Sequence, residues 1–150
     1  MATAPVVITA TREVPAGAGA VFAVVADHEN WPEWFPRVQR VQLTGQATGV
    51  GGQRRVSVGG VTLDEVFIGW EPDRLFAFTV TDMSRRLVKS MAESVQIEPL
   101  GDDRCRVTYT QAIEPTGWTR PLIAIARPQV RKALAGALDN LAERAQSATR

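Results

Sequence analysis

Residues 27–36 read Asp-His-Glu-Asn-Trp-Pro-Glu-Trp-Phe-Pro, and this stretch decides the fold. It holds two of the chain's four tryptophans together with two prolines. Large aromatic rings bury much apolar area, and prolines stiffen the backbone and prevent a long regular helix. The stretch therefore predicts one short helical turn, with Asn30 as its N-cap and Pro32 in its first turn. Such a turn is more typical of a segment that covers another part of the protein, as a wall or a lid does, than of a plain linker.

Length and composition predict one globular domain over residues 1–150. Hydrophobic residues make up 45% of the chain and charged residues 22%, as in ordinary globular proteins. The formal net charge of +1 indicates no strong field for nucleic acid or an anionic membrane. No apolar run reaches the roughly 20 residues of a membrane helix, so stable membrane insertion is not expected.

Residues 1–5 lack the pattern of a signal peptide, and Cys105 has no second cysteine to pair with. These two features together predict a cytoplasmic protein.

The chain on either side of the opening stretch predicts an α+β fold. An apolar helix over 18–26 precedes the stretch, and short β-branched runs joined by turns follow it. From residue 120 to 145 apolar residues recur at helical spacing, and Pro128 is expected to kink or restart this helix. The prediction is a curved antiparallel sheet of about seven strands around a long C-terminal helix, with two short helices after strand 1. The predicted strands are 6–14, 38–43, 54–58, 61–70, 75–81, 87–97 and 105–113.

Several motifs resemble the START-like (SRPBCC, helix-grip) superfamily and, more narrowly, its polyketide cyclase/dehydrase and lipid-transport family. They are Val-Phe-Ala-Val-Val-Ala-Asp at 21–27, Asn-Trp-Pro-Glu-Trp-Phe-Pro at 30–36, Trp-Glu-Pro-Asp-Arg-Leu-Phe-Ala-Phe at 70–78, and Leu-Gly-Asp-Asp-Arg-Cys-Arg-Val-Thr-Tyr at 100–109. The resemblance implies a deep cavity between the sheet and the C-terminal helix. It also implies an apolar ligand such as a lipid, polyketide or hormone, and in a minority of members cyclisation and aromatisation. Cyclising members use an arginine inside the cavity, for which Arg54 and Arg55 are the nearest counterparts here.

Within such a cavity, aromatic residues and two polar side chains are the main candidates for contact with a ligand. In the strand 105–113 the odd positions form one mainly apolar face, which directs Tyr109 and Gln111 inward. A filled core is the alternative for the aromatics, and structural hydrogen bonds are the alternative for Tyr109 and Gln111. The candidate ligand contacts are Trp34, Phe35, Phe67, Phe78, Met91, Gln111, Ile123 and Arg127. For Arg127 a solvated surface position is the competing interpretation.

Tyr109 and Glu93 are the candidate catalytic residues. If the odd positions of 87–97 face inward, Glu93 lies near the phenol, and a carboxylate with a phenol suits acid/base chemistry on an enolate. A β-bulge would instead place Lys89 and Glu93 at the wet rim. Glu65 carries the same ambiguity.

Other chemistries find little support in the sequence. One histidine and one cysteine do not make a zinc site, so no metal and no cofactor is expected. His28 lies between two acidic residues and is expected to face solvent. The glycine-rich loop 45–52 lacks the Lys-Ser/Thr of a phosphate-binding loop, and a flexible gate at the cavity mouth is expected instead.

The functional prediction is binding of an apolar, lipid- or polyketide-like small molecule in the cavity. The first alternative is a polyketide cyclase or dehydratase that uses Tyr109 and Glu93. The second is an interaction module with a filled core. A nucleic-acid partner is not expected.

Overall fold

The computed structural model describes residues 5–148 of the chain. The expectations for Met1–Ala4 therefore lie outside the described residues. Seven strands, two α-helices and a 3₁₀ helix make up the domain. In chain order they are β1 (Val6–Val14), α1 (Ala18–Ala26), the 3₁₀ helix (His28–Glu33), β2 (Val38–Leu43), β3 (Gln53–Val58), β4 (Val61–Glu71), β5 (Leu75–Met83), β6 (Val88–Gly101), β7 (Arg104–Pro115) and α2 (Arg120–Ala148).

All seven strands pair antiparallel in one sheet of order β1-β7-β6-β5-β4-β3-β2. From β2 to β7 each strand pairs with the next one along the chain, whereas β1 crosses to the far edge beside β7. Gly59 and Gly60, at φ 55° and 81°, form the β3–β4 turn because glycine adopts this left-handed region without steric cost. The predicted α+β architecture and its element order are confirmed.

The 3₁₀ helix begins three residues earlier than predicted. Asp27, not Asn30, is its N-cap residue, and the Asn30 side-chain amide donates to the Asp27 carboxylate at 2.8 Å. The buried Trp31 indole N–H donates to the Val25 carbonyl at 2.8 Å. This bond joins the 3₁₀ helix directly to the end of α1.

Helix α2 runs unbroken through Pro128, so the predicted restart is wrong. The proline removes one backbone donor, but Ala124, whose carbonyl loses its partner, is exposed, where water can replace the lost bond. Only the C-terminal part of α2 is packed into the core against β1, β7 and α1. Its buried residues are Leu134, Ala137, Leu138, Leu141, Ala142 and Ala145. Within residues 5–148, neither α-helix has the length and apolar character needed to cross a membrane.

Candidate functional site

A cavity of about 120 Å³ lies between the sheet and α2. Sites for drug-sized ligands measure roughly 300–1,000 Å³, so this space suits a small molecule or one end of a larger one. The interior of the domain is therefore not completely filled. The lining residues are Trp31, Phe35, Arg37, Val38, Arg54, Val56, Val58, Leu63, Glu65, Phe78, Met91, Glu93, Tyr109, Gln111, Val130, Ala133 and Leu134.

Arg54 is the buried cation of this cavity, and 1% of its surface is exposed. The alternation of β3 directs Arg54 and Val56 toward the core. The guanidinium carbon lies 4.1 Å from the ring centroid of Trp31 and 4.8 Å from that of Phe78. These aromatic faces attract the guanidinium and compensate in part for its loss of water.

Glu65 on β4 is the ion-pair partner of Arg54. The two residues are paired across the β3–β4 hairpin, and the Arg54 Nε–H donates to Glu65 Oε1 at 2.7 Å. Burial raises the pKa of Glu65 to about 7, although Arg54 opposes the shift; the nearby Glu93 carboxylate adds to it. Glu65 can therefore gain or lose a proton near neutral pH.

His28 is buried in the same network, so the expectation of a solvent-facing histidine is wrong. Its Nε2 lies 2.8 Å from the Ala47 carbonyl, and its Nδ1 lies 3.3 Å from Nη1 of Arg54. A carbonyl only accepts and a guanidinium only donates, which assigns the neutral tautomer with the proton on Nε2. Burial, with the Arg54 charge as a second cause, lowers the pKa of His28 to about 4. The ring also stacks on Phe67 at a centroid distance of 4.9 Å.

Glu93 on β6 accepts hydrogen bonds at both carboxylate oxygens. The Tyr109 hydroxyl donates to Oε1, and the Gln111 amide donates to Oε2 at 3.2 Å. Burial raises the pKa of Glu93, and these two hydrogen bonds oppose the shift. Burial and the adjacent Glu93 charge raise the pKa of Tyr109 well above its usual value. The phenol therefore stays protonated and acts as a donor.

The buried charges of the cavity do not balance when every group takes its usual ionisation state. One buried cation, Arg54, faces two carboxylates, Glu65 and Glu93, and His28 is neutral. Arg37 also lines the cavity, but it is exposed. A buried negative charge without a partner is costly, so the site favours an extra proton on the carboxylates. The arrangement can hold a polar group of a ligand by hydrogen bonds and can exchange a proton with it.

Six of the residues predicted from sequence line the cavity. The odd positions of β7 face inward as predicted, and Glu93 on β6 does so too. Whether these six side chains contact a ligand or catalyse a reaction stays a prediction. They are Phe35, Phe78, Met91, Glu93, Tyr109 and Gln111.

Trp34 and Phe67 do not line the cavity and are core residues instead. The Trp34 ring packs against Trp31 at a centroid distance of 4.6 Å, on a side that the cavity does not reach. Phe67 lies beneath His28 and Gly52. The predicted ligand contacts of Trp34 and Phe67 are thus corrected, because both side chains are already covered by neighbours.

Arg127 and Ile123 also lie away from the cavity. Arg127 is exposed and its Nη2 donates to the Val7 carbonyl at 2.8 Å, which ties α2 to the edge strand β1. Ile123 is half-buried in the first turn of α2, and the cavity is reached only by α2 residues from Val130 onward. Pro128 leaves α2 continuous, and Arg127 beside it is exposed rather than directed into the cavity.

The structure also places Lys89 and the glycine-rich loop, and for Lys89 it agrees with the alternative of a β-bulge. Lys89 is exposed because a register shift between Val88 and Ser90 interrupts the alternation of β6. The loop 44–52 contributes no lining residue and is no gate to this cavity. It is held against β4, where the Gly51 amide donates to Phe67 and the Phe67 amide donates to Gly52, both at 2.8 Å.

Arg54, Glu65 and Trp31 are lining residues that the sequence prediction did not commit to. A usable signal existed, because a hairpin turning at Gly59-Gly60 pairs Val58 with Val61 and hence Arg54 with Glu65. Opposite charges at inward positions of paired strands predict a buried ion pair. Within residues 5–148, no cluster of three or more His, Cys, Asp or Glu side chains is arranged to hold a metal ion.

Comparisons with known proteins agree on the fold and leave the activity open. The sequence profile of the family described as "Polyketide cyclase / dehydrase and lipid transport" matches residues 5–146. Uncharacterized proteins of Mycobacterium bovis and Mycobacterium tuberculosis are 34% identical over 141 residues, covering 93% of this chain and 84% of theirs.

Two solved enzyme structures are similar to this chain at low identity. The Zhui aromatase/cyclase of Streptomyces sp. R1128 is 18% identical with a TM-score of 0.81, covering 97% of this chain and 96% of that one. A norcoclaurine synthase point mutant of Thalictrum flavum, solved with a transition-state analogue, is 18% identical with a TM-score of 0.75. The match covers 100% of this chain and 99% of that one. At this identity the similarity establishes the fold alone.

Proposed function

Because the chain belongs to the polyketide cyclase/dehydrase and lipid transport family, we propose that it binds an apolar small molecule bearing one oxygen function. The apolar part occupies the space between the sheet and α2. A carbonyl or hydroxyl of the ligand is oriented by the buried cluster of Arg54, Glu65, Glu93 and Tyr109.

The observation that carries the proposal is the combination of an open cavity with that polar cluster. Aromatic and aliphatic walls favour an apolar ligand by roughly 25 cal/mol per Å² of apolar area removed from water. Polar groups that converge on one region of such a cavity fix the orientation of a ligand. A core that served stability alone would gain little from one cation and two carboxylates, because buried ion pairs seldom outweigh their desolvation.

Binding is tested with 2-naphthol, a fused-ring phenol with one oxygen function, by titration against the tryptophan fluorescence of the protein. Trp31 lines the cavity, so an occupant is expected to quench its emission. The variant Phe78→Trp reduces the cavity volume and is expected to weaken binding at least tenfold. Ile68→Trp is the matched control, because Ile68 is exposed on the opposite side of the sheet. Equal affinities in Phe78→Trp and Ile68→Trp would contradict binding in this cavity.

A second candidate function, cyclisation or dehydration of a polyketide, is favoured by a separate observation. Glu65 has a pKa of about 7, and Tyr109 is a buried donor on the same cavity. A carboxylate can remove a proton from the carbon between two carbonyls, the resulting enolate can attack a further carbonyl, and an acid can protonate the alkoxide formed. Turnover of a short poly-β-ketone that is lost in Glu65→Gln, Glu93→Gln and Tyr109→Phe, but retained in the surface variant Glu98→Gln, would support this function. Unchanged rates in Glu93→Gln and Tyr109→Phe would exclude their catalytic roles.

A further inference from the structure

Three large apolar side chains, here called the apolar row, are exposed at the beginning of α2 and in the turn before it. Trp118, in the turn, is 61% exposed, Leu122 is 56% exposed and Ile125 is 77% exposed. Leu122 and Ile125, three positions apart, lie on the same side of the helix. Clustered apolar side chains of this size on a surface indicate a contact with another body, whereas isolated ones need no explanation.

A second segment of the chain adjoins this row. Val88 at the start of β6 pairs with Pro115 at the end of β7. The segments 84–87 and 116–119 therefore leave the sheet side by side, at the same end. Leu87 in the first of these segments is 39% exposed and extends the apolar surface.

The two segments that carry the apolar row are basic, and the acidic residues Asp82, Glu93, Glu114 and Asp139 flank them in the chain. Residues 83–92 and 115–138 contain seven of the chain's 17 Lys and Arg residues and none of its 16 Asp and Glu residues. The rest of the chain holds ten basic residues against 16 acidic ones. The seven basic residues are Arg85, Arg86, Lys89, Arg120, Arg127, Arg131 and Lys132.

We infer that this basic apolar surface, formed by residues 84–89 and 116–132, docks the protein on an anionic lipid bilayer. The apolar row enters the headgroup region, where tryptophan is favoured, and the basic residues face the lipid phosphates and carboxylates. A second copy of the chain fits this surface poorly, because a symmetric contact would oppose like charges. The apolar residues at its centre also distinguish it from a nucleic-acid site, which is polar and basic throughout.

The basic apolar surface borders the cavity. Val130 and Ala133 of α2 line the cavity, and the exposed Arg131 and Lys132 lie between them in the chain. A docked protein would thus hold this part of α2 at the bilayer. The docking inference does not depend on the proposed ligand, since it rests on exposed side chains that the cavity does not use.

The inference is tested by co-sedimentation of the protein with phosphatidylcholine vesicles, with and without phosphatidylserine. Binding is expected only with phosphatidylserine and is expected to weaken as salt is raised. Each basic residue near a bilayer contributes about fivefold in affinity, so Arg131→Gln combined with Lys132→Gln should weaken binding by about 25-fold. Ile125→Ser should weaken it as well, through the apolar contact.

Matched controls come from exposed residues away from the basic apolar surface. Arg40→Gln on β2, at the far edge of the sheet, and Ile68→Ser on β4 are expected to bind vesicles like the parent protein. Equal binding to both vesicle types, or equal loss in the control variants, would overturn the inference. So would a self-association, seen by sedimentation velocity, that Ile125→Ser abolishes, or tighter binding to duplex DNA than to the phosphatidylserine vesicles.

Discussion

Two buried groups of one network, Glu65 and His28, are predicted to give opposite pH dependences of stability that cancel in the native sequence. Both groups reach Arg54, through a 2.7 Å bond to Glu65 and a 3.3 Å bond to His28. Burial raises the pKa of Glu65 from 4.5 to about 7 and lowers that of His28 from 6.5 to about 4. The two pKa values thus move in opposite directions over nearly the same pH range.

The sign of each contribution follows from which state of the protein binds the proton more tightly. The native state binds the Glu65 proton more tightly than the unfolded state does. The contribution of Glu65 to the free energy of unfolding is therefore complete below pH 4.5 and is lost as the pH rises through about 7. For His28 it is the unfolded state that binds the proton more tightly. The contribution of His28 to the free energy of unfolding is therefore complete above pH 6.5 and is lost as the pH falls through about 4. At 1.36 kcal/mol per pKa unit, each contribution amounts to about 3 kcal/mol.

The perturbation is Glu65→Gln, which keeps the size of the side chain and an oxygen for Arg54 but removes the titration. Relative to the native protein, its free energy of unfolding is expected to rise by about 3 kcal/mol between pH 4.5 and pH 7. His28→Gln is expected to show the reverse difference, a fall of about 3 kcal/mol between pH 4 and pH 6.5. Glu93 is present in all three proteins, so its own titration largely cancels from the comparison.

The assay is urea denaturation followed by tryptophan fluorescence at a series of pH values, with linear extrapolation to water. Glu98→Gln is the control for Glu65→Gln, because Glu98 carries a solvent-exposed ion pair with Arg106 whose contribution is expected to be small. The reasoning is refuted if Glu65→Gln and the native protein show parallel pH profiles, since Glu65 would then have an ordinary pKa in the fold.

Three further predictions concern packing and hydrogen bonding. Tyr109→Phe leaves a buried oxygen of Glu93 without its donor and should lower the free energy of unfolding by about 1–3 kcal/mol, measured by urea denaturation at pH 7; an unchanged value would contradict the bond. Gly136→Ala should raise thermal stability by about 0.5–1 kcal/mol, because a methyl group there meets nothing within 4 Å and glycine is a poor helix former; a lower melting temperature would contradict this. Gly52→Ala should destabilise by about 1–3 kcal/mol in the same thermal assay, because its Cβ would overlap the Phe67 ring; a neutral result would show that the loop can shift.

The elements of the fold were predictable because they depend on local sequence. Strand alternation, turn glycines and the apolar spacing of residues 120–145 indicated all seven strands and the long helix. One error concerned the exact start of a short helix. The 3₁₀ helix has Asp27 rather than Asn30 as its N-cap, and its Trp31 indole bonds to the Val25 carbonyl of the preceding helix.

The candidate site was predictable where side chains alternate regularly and unpredictable where they do not. Tyr109 and Gln111 follow the inward face of β7, and Glu93 follows that of β6. Lys89 does not, because a register shift near Val88 turns it outward. Trp34 was expected at the cavity, yet it packs beside Trp31 and does not line the cavity.

The sequence by itself determined the α+β architecture, the inward face of β7 and a net charge of +1. Only the tertiary structure decided that Arg54, Glu65, His28 and Glu93 meet in one buried network, since their pKa values depend on burial and on charges from four separate elements. It also brought residues 84–89 beside the start of α2 and so gathered basic residues that are scattered in the chain. A net charge is a sum over the whole chain, whereas a bilayer interacts with the surface that faces it.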